Sequence, residues 1–125
     1  MTKESTFQIN VVRMLRSAGL FVFAVPNGGT RNYREAHNLR LQGVMAGVSD
    51  LILLLPQGKT YFIELKNLNG KGRQSPAQRD FEAQVELLGH TYLLWSSWAE
   101  VEDFINKHRH ERQDLANSLQ IGGTE

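Results

Sequence analysis

The sequence predicts an α/β fold in which a small mixed β-sheet is flanked by helices on both sides. Four short apolar runs have strand character, four other segments have helical spacing or helix caps, and the two kinds alternate as α-β-α-β-β-α-β-α. With 125 residues and 41% hydrophobic content, the chain suits one compact domain with an ordinary core. The domain is expected over residues 1–110, followed by a polar C-terminal extension or tail over residues 111–125.

Each element has its own signal. Phe7, Val11, Met14 and Ala18 recur at helical spacing and mark a first amphipathic helix over about residues 4–18, with Gly19 as its stop. Leu20 to Val25 is a β-rich run, and Pro26-Asn27-Gly28-Gly29 ends it with turn chemistry. A polar segment from Asn32 to Gln42, carrying Ala36 and Leu39, reads as a second helix. Leu51 to Leu55 and Tyr61 to Leu65 form two strands joined by the short Pro56-Gln57-Gly58-Lys59 connection. A basic, glycine-containing loop from Asn67 to Gln74 follows. Ser75-Pro76-Ala77-Gln78 opens the next helix with an N-cap serine, a proline at the first helical position and a glutamine at the capping-box position. Its inward stripe is expected to be Ala77, Phe81, Val85 and Leu88, with Gly89 closing it. Thr91 to Trp95 is the last strand. Ser97 to Glu100 starts a final helix with Val101 and Ile105 inward, and both tryptophans, Trp95 and Trp98, are assigned to the core rather than to base stacking.

Composition removes several classes of function. The absence of cysteine excludes disulfides and thiolate metal sites, so any metal must sit on oxygen or histidine. His37, His90, His108 and His110 lack the spacing of a zinc site. No apolar stretch approaches the roughly 18 residues of a membrane span, and the N-terminus has no secretion-signal pattern, so a soluble, cytoplasmic protein without a membrane partner is expected. A net charge of +1 is too small to imply nucleic-acid binding on its own.

The residues that carry chemistry lie on the central hairpin. Asp50 precedes the first of its strands, and Glu64-Leu65-Lys66 ends the second. Side chains alternate along a strand, so Glu64 and Lys66 share a face, and the short connection folds Asp50 back toward them. Two carboxylates and one ammonium at a sheet edge match the needs of phosphodiester hydrolysis: oxygen ligands for Mg²⁺ or Mn²⁺, and a cation for the attacking water or the developing charge. A cross-strand ion pair between Lys66 and Asp50 would satisfy the same charges without catalysis.

Pro26-Asn27-Gly28-Gly29, Gly47-Val48-Ser49-Asp50, Glu64-Leu65-Lys66 and Ser75-Pro76-Ala77-Gln78 together resemble the motif series of the virus-type replication-repair nuclease (VRR-NUC) domain, a branch of the PD-(D/E)xK superfamily. The resemblance runs over about residues 4–105 and implies a restriction-endonuclease-like core. It implies that Asp50, Glu64 and the backbone carbonyl of Leu65 bind metal, that Lys66 is the catalytic lysine, that Gln78 supports the site, and that Glu4 approaches the metals. Ser49 stands where the family usually has proline, a position that shapes backbone and performs no chemistry. Gln78 therefore has two explanations, the capping box and the site, and one of them is expected to prevail. Glu4 could equally complement the positive end of its helix.

Arg31, Arg34, Arg40, Lys71, Arg73 and Arg79 flank the proposed site and are candidates for phosphate contacts. The resemblance implies a DNA endonuclease leaving a 5′-phosphate, and stand-alone domains of this type resemble enzymes acting on branched DNA. A symmetric four-way junction is cut most naturally by a homodimer, so a dimeric junction resolvase is expected. The alternatives are a monomeric flap or nicking nuclease and a non-catalytic DNA-binding module.

Overall fold

The computed structural model describes residues 2–26, 32–67, 72–109 and 111. Its elements follow the expected order: α1 (Lys3–Ser17), β1 (Phe21–Ala24), α2 (Tyr33–Leu41), β2 (Leu51–Leu55), β3 (Lys59–Leu65), α3 (Pro76–Leu87), β4 (Thr91–Trp95) and α4 (Trp98–Lys107). All four helices start at a side chain that accepts a backbone N–H: Thr2, Asn32, Ser75 and Ser97. Gly19 and Gly89 follow α1 and α3 in the left-handed region. The expected turn at Asn27 to Gly29, the middle of the loop after Asn67, His110 and the stretch beyond 111 lie outside the described residues.

The sheet is ordered β1-β2-β3-β4. The first two pairings are antiparallel, whereas β3 and β4 are parallel and are joined through α3, which makes the sheet mixed. Pro56, Gln57 and Gly58 connect β2 to β3, and the last two have positive φ, which lets the chain reverse in so few residues.

One face of the sheet carries the main core. Val22, Leu51, Leu53, Leu55, Ile63, Leu65 and Trp95 pack with Phe7, Val11 and Leu15 of α1 and Val101 and Phe104 of α4. Both tryptophans belong to this side: Trp95 is buried, and Trp98 meets Phe7 edge-on at 4.8 Å. The inward stripe of α1 is Phe7, Val11 and Leu15, and Met14 and Ala18 pack only at its margin. The helix thus faces the sheet about one residue around from the expected centre of its stripe. On α4, Val101 and Phe104 are buried and Ile105 is partly buried against them.

The opposite face is covered only in part. Phe62 on β3, Phe81 on α3 and Tyr92 on β4 form an aromatic chain, with centroid distances of 5.3 Å and 6.3 Å. Of the stripe expected on α3, Val85 is buried but Leu88 is 74% exposed. Leu88 is the C-cap, where the helix has already left the sheet. Helix α3 lies over β3 and β4, so the cross-strand pairs Phe21–Leu54 and Phe23–Ile52 on the same face have no helix above them among the described residues. Phe21 is 65% exposed and Leu54 41%. Helix α2 buries no residue, so its caps and its place beside the cleft hold it rather than a core-facing stripe. No helix among the described residues is long and apolar enough to cross a membrane.

The two faces make different demands. Leu53→Ala leaves a hole in the packed core and should cost about 2–5 kcal/mol, whereas Leu88→Ala should stay within about 0.5 kcal/mol. Urea unfolding of the two variants beside wild type measures this, and a large effect at Leu88 would mean that the α3 face is covered.

Candidate active site

The β2–β3 ladder ends at the Leu51–Ile63 pair, one residue short of Asp50. The Asp50 carboxylate takes over where the ladder stops, accepting the backbone N–H of Leu65 at 2.8 Å, while its own carbonyl accepts the N–H of Val25 at 2.9 Å. Ser49 before it is fully buried and donates its hydroxyl to the Leu51 carbonyl at 3.1 Å. This short-range bond fixes the chain where the motif series usually has proline. Among the described residues, Lys66 forms no ion pair with Asp50, so the purely structural pairing is not the arrangement present.

Alternation on β3 points Ile63 and Leu65 into the main core and sends Glu64 to the α3 side, where Lys66 just beyond the strand end also points. The first turn of α3 meets them. Gln78 Oε1 accepts the Ser75 N–H at 2.8 Å, completing the capping box, and also accepts the Lys66 ammonium at 2.9 Å. Its Nε2 donates to Glu64 Oε2 at 3.0 Å. The expectation that one role of Gln78 would exclude the other is therefore corrected. A carboxamide oxygen has two lone pairs and its nitrogen two protons, so a single side-chain position serves both the cap and the site.

Helix α3 can approach this closely because of Gly47. Its φ is +86, and a Cβ there would strike the Ala77 carbonyl and come within 2.9 Å of the Gln78 nitrogen. Gly72 likewise packs on the aliphatic stem of Lys66, where a Cβ would lie 3.2 Å from its Cβ and Cδ. Farther along, Gln74 donates to both Glu82 and the Tyr92 hydroxyl, tying the end of the loop to α3 and β4. Burial pushes the Tyr92 phenol up to about 12, so it stays neutral at ordinary pH.

The electrostatics centre on Glu64. Among the described residues it is one of two polar or charged residues in the buried set, with Ser49, and its ionised Oε1 accepts no hydrogen bond; only when protonated can Glu64 share that proton with Asp50. Lys66 stands 3.7 Å from its other oxygen, too far for a hydrogen bond. Burial first, and then the negative charge of Asp50, push its pKa up to about 8. An orphaned, buried carboxylate oxygen beside a second carboxylate is a place where a cation relieves both desolvation and repulsion. A donor set of two carboxylates suits Mg²⁺, which keeps several waters and is held by one or two carboxylates together with substrate phosphates.

Asp50, Glu64, Leu65, Lys66 and Gln78 line one cleft of about 1160 Å³, bounded on the far side by α1 and α2. Glu4 and Gln8 of α1 and Arg40 of α2 are on its walls. Glu4 does not join Asp50 and Glu64 in a close cluster, since no group of three or more acidic or histidine side chains among the described residues is arranged around a metal position. Arg34, Arg73 and Arg79 are exposed outside the cleft lining, and Arg79 is bound to the Gln74 carbonyl at 3.0 Å. Arg31 and Lys71 lie outside the described residues. The sequence reading missed Gly47 as the contact point with α3, although its neighbourhood to Asp50 was visible, and it missed Gln8, which carries no motif.

No family model matches the sequence, and no curated protein matches it. Among solved structures, one described as "VRR_NUC domain" superposes with a TM-score of 0.61 at 21% identity, over 85% of this chain and 97% of that one. Another, "VRR_NUC domain protein", gives a TM-score of 0.64 at 20% identity, covering 89% of this chain and 88% of its own. The fold is that of VRR-NUC domains. The VRR-NUC architecture expected from the motif series is thus present as an α/β, restriction-endonuclease-like core with a mixed four-stranded sheet.

A carboxyl whose pKa lies near 4.5 in the unfolded chain and about 8 in the fold binds its proton more tightly when native. Its contribution to stability is therefore full below pH 4.5 and falls as the pH rises to 8. Metal-free protein should lose thermal stability across that window, Glu64→Gln should flatten the loss, and added Mg²⁺ should raise Tm more at pH 8 than at pH 6. Differential scanning calorimetry checks this, and a Tm that rises from pH 5 to 8 in EDTA would contradict it.

Proposed function

We propose that the protein is a metal-dependent DNA endonuclease. The observation that carries this reading is the buried Oε1 of Glu64, which accepts no hydrogen bond, beside Asp50 in a cleft where Gln78 bridges Lys66 and the same carboxylate. A buried acidic oxygen without a donor costs stability, and a bound cation would remove that cost.

Asp50 and Glu64, with the Leu65 carbonyl, would hold Mg²⁺ or Mn²⁺, and Glu4 stands on the cleft wall for an outer contact through water. When bound, the ion supplies Lewis acidity toward a phosphate oxygen and lowers the pKa of its water. The chain's own groups do the rest. Lys66, fixed by Gln78, places one positive charge beside the reacting phosphate, where it orients the attacking water and stabilises the charge that develops. Gln78 keeps Lys66 from collapsing onto Glu64, because its oxygen takes the ammonium and its nitrogen takes the carboxylate. The N-terminal end of α3 adds its partial positive charge to the same place. Arg40 from the cleft wall would grip a flanking phosphate, and Arg31, Arg34, Lys71, Arg73 and Arg79 are the further candidates for such contacts.

The substrate proposed is branched DNA, most specifically a four-way junction cut by a homodimer. The apolar strip of Phe21, Phe23, Ile52 and Leu54, which no helix covers among the described residues, supports a second copy as the occupant, since paired aromatic and aliphatic side chains on a sheet face are costly to leave in water. Its two-fold symmetry would give two sites for two strands.

Labelled four-way junction, 5′ flap and plain duplex incubated with Mg²⁺, Mn²⁺ or EDTA test the activity. Paired, metal-dependent nicks near the branch are expected, and Asp50→Ala and Lys66→Ala should each lower the rate at least about 100-fold while leaving binding in place. Cleavage of the flap alone would favour the monomeric alternative, and binding without cleavage a DNA-binding module.

The dimer is tested separately. Size-exclusion chromatography with light scattering should give twice the 14.2 kDa chain mass for wild type and the single mass for Phe21→Asp. A wild-type monomer at micromolar concentration would remove the two-site arrangement.

A further inference from the structure

The cleft around Glu64 does not end at Gln8. A second groove of about 660 Å³ runs on from it between the later turns of α1 and the edge strand β1, and the two share Gln8 and Ala24 on their walls. Its far end is lined by Arg13, Arg16 and Ser17. Both arginines are exposed, and no ion pair among the described residues involves either. Arg16 is nonetheless fixed: its Nη2 and Nε donate to the Val22 carbonyl at 3.1 Å and 3.4 Å, on the strand that is at the edge of the sheet among the described residues. Two of its five donors hold it in place, and the others stay available. A guanidinium ordered by a carbonyl and not neutralised by a carboxylate is pre-organised for an anion, since little side-chain freedom is left to lose on binding.

We infer that this groove is a phosphate-binding extension of the active-site cleft, in which Arg13 and Arg16 hold the DNA backbone on one side of the scissile bond. The inference rests on the DNA-cleaving reading and adds to it a direction for the substrate: the strand leaves the carboxylates along α1 toward its C-terminal end. From Gln8 to Arg16 the helix rises roughly 12 Å, which is within the span of a short stretch of one DNA strand. Arg13 falls about midway. The contacts go to phosphate and carry no base preference, so they fix position and affinity rather than sequence.

The test is fluorescence anisotropy of a labelled four-way junction in EDTA over a salt series, comparing wild type with Arg13→Ala, Arg13→Ala/Arg16→Ala, Arg13→Lys/Arg16→Lys and Lys107→Ala. Lys107 is an exposed cation paired with Asp103 on α4 and serves as the charge control. The double alanine variant should bind about tenfold or more weakly, with its log–log salt slope reduced by about two, one for each phosphate that no longer has its arginine. Arg13→Ala, which removes no hydrogen bond or ion pair seen among the described residues, should show about half of that slope change. The lysine pair should restore the slope, and Lys107→Ala should behave as wild type. Wild-type affinity and slope in the alanine variants would overturn the inference, as would an equal loss in Lys107→Ala or a wild type that binds no DNA.

The same preparations are then given Mg²⁺ or Mn²⁺, which separates the two readings. Cleavage by wild type with unchanged binding in the arginine variants rejects the groove and leaves the nuclease. Arginine-dependent binding with no cleavage under either metal rejects the nuclease and leaves the groove as a DNA-binding surface.

Discussion

The carboxylate of Glu64 is the constraint around which the rest of this molecule is arranged. It sits at the end of a central strand, buried, with one oxygen unpartnered and a second acid beside it. A charge in that position is costly, and hydrophobic substitution would be the simple remedy if stability were the only demand. Instead the fold brings Gln78 and Lys66 to one of its oxygens and leaves the other bare. The hairpin, the parallel crossover through α3 and the left-handed Gly47 all serve to hold those few groups at fixed distances.

Much of this was legible in the sequence, for physical reasons that differ from element to element. The order of strands and helices followed from two periodicities and from caps, and Ser75-Pro76-Ala77-Gln78 announced a helix start because three independent preferences coincide there. The convergence of Asp50, Glu64 and Lys66 followed from strand alternation and a short hairpin, which together leave little freedom. The detailed faces were harder to read. Whether Leu15 or Met14 leads the buried stripe of α1 depends on a rotation of the helix against the sheet, and whether Leu88 is covered depends on where α3 leaves β4.

Two features were beyond any local reading. That Gln78 both caps and bridges depends on the distance between α3 and β3, which is set by Gly47 some thirty positions earlier. Local propensity has no access to such a contact. The groove at Arg13 and Arg16 is similar: on the sequence these are ordinary charged positions of an amphipathic helix, and only the edge location of β1 and the Arg16–Val22 bond distinguish them. Arginines in the segments that flank the Asp50–Lys66 motifs drew attention, whereas those on α1 lie far from these motifs in sequence.

The double duty of Gln78 makes helix formation and site assembly one event. Before α3 docks, the β2–β3 hairpin already carries Asp50, Glu64 and Lys66, but the ammonium has no carboxamide oxygen to hold it off the acids and can neutralise one of them directly. The N-terminal turn of α3 is also incomplete at that stage, because the same side chain finishes its cap. A chain in which α3 has not docked therefore lacks both the finished cap and the bridge between Lys66 and Glu64, so loosening the helix and disordering the cluster are one and the same change.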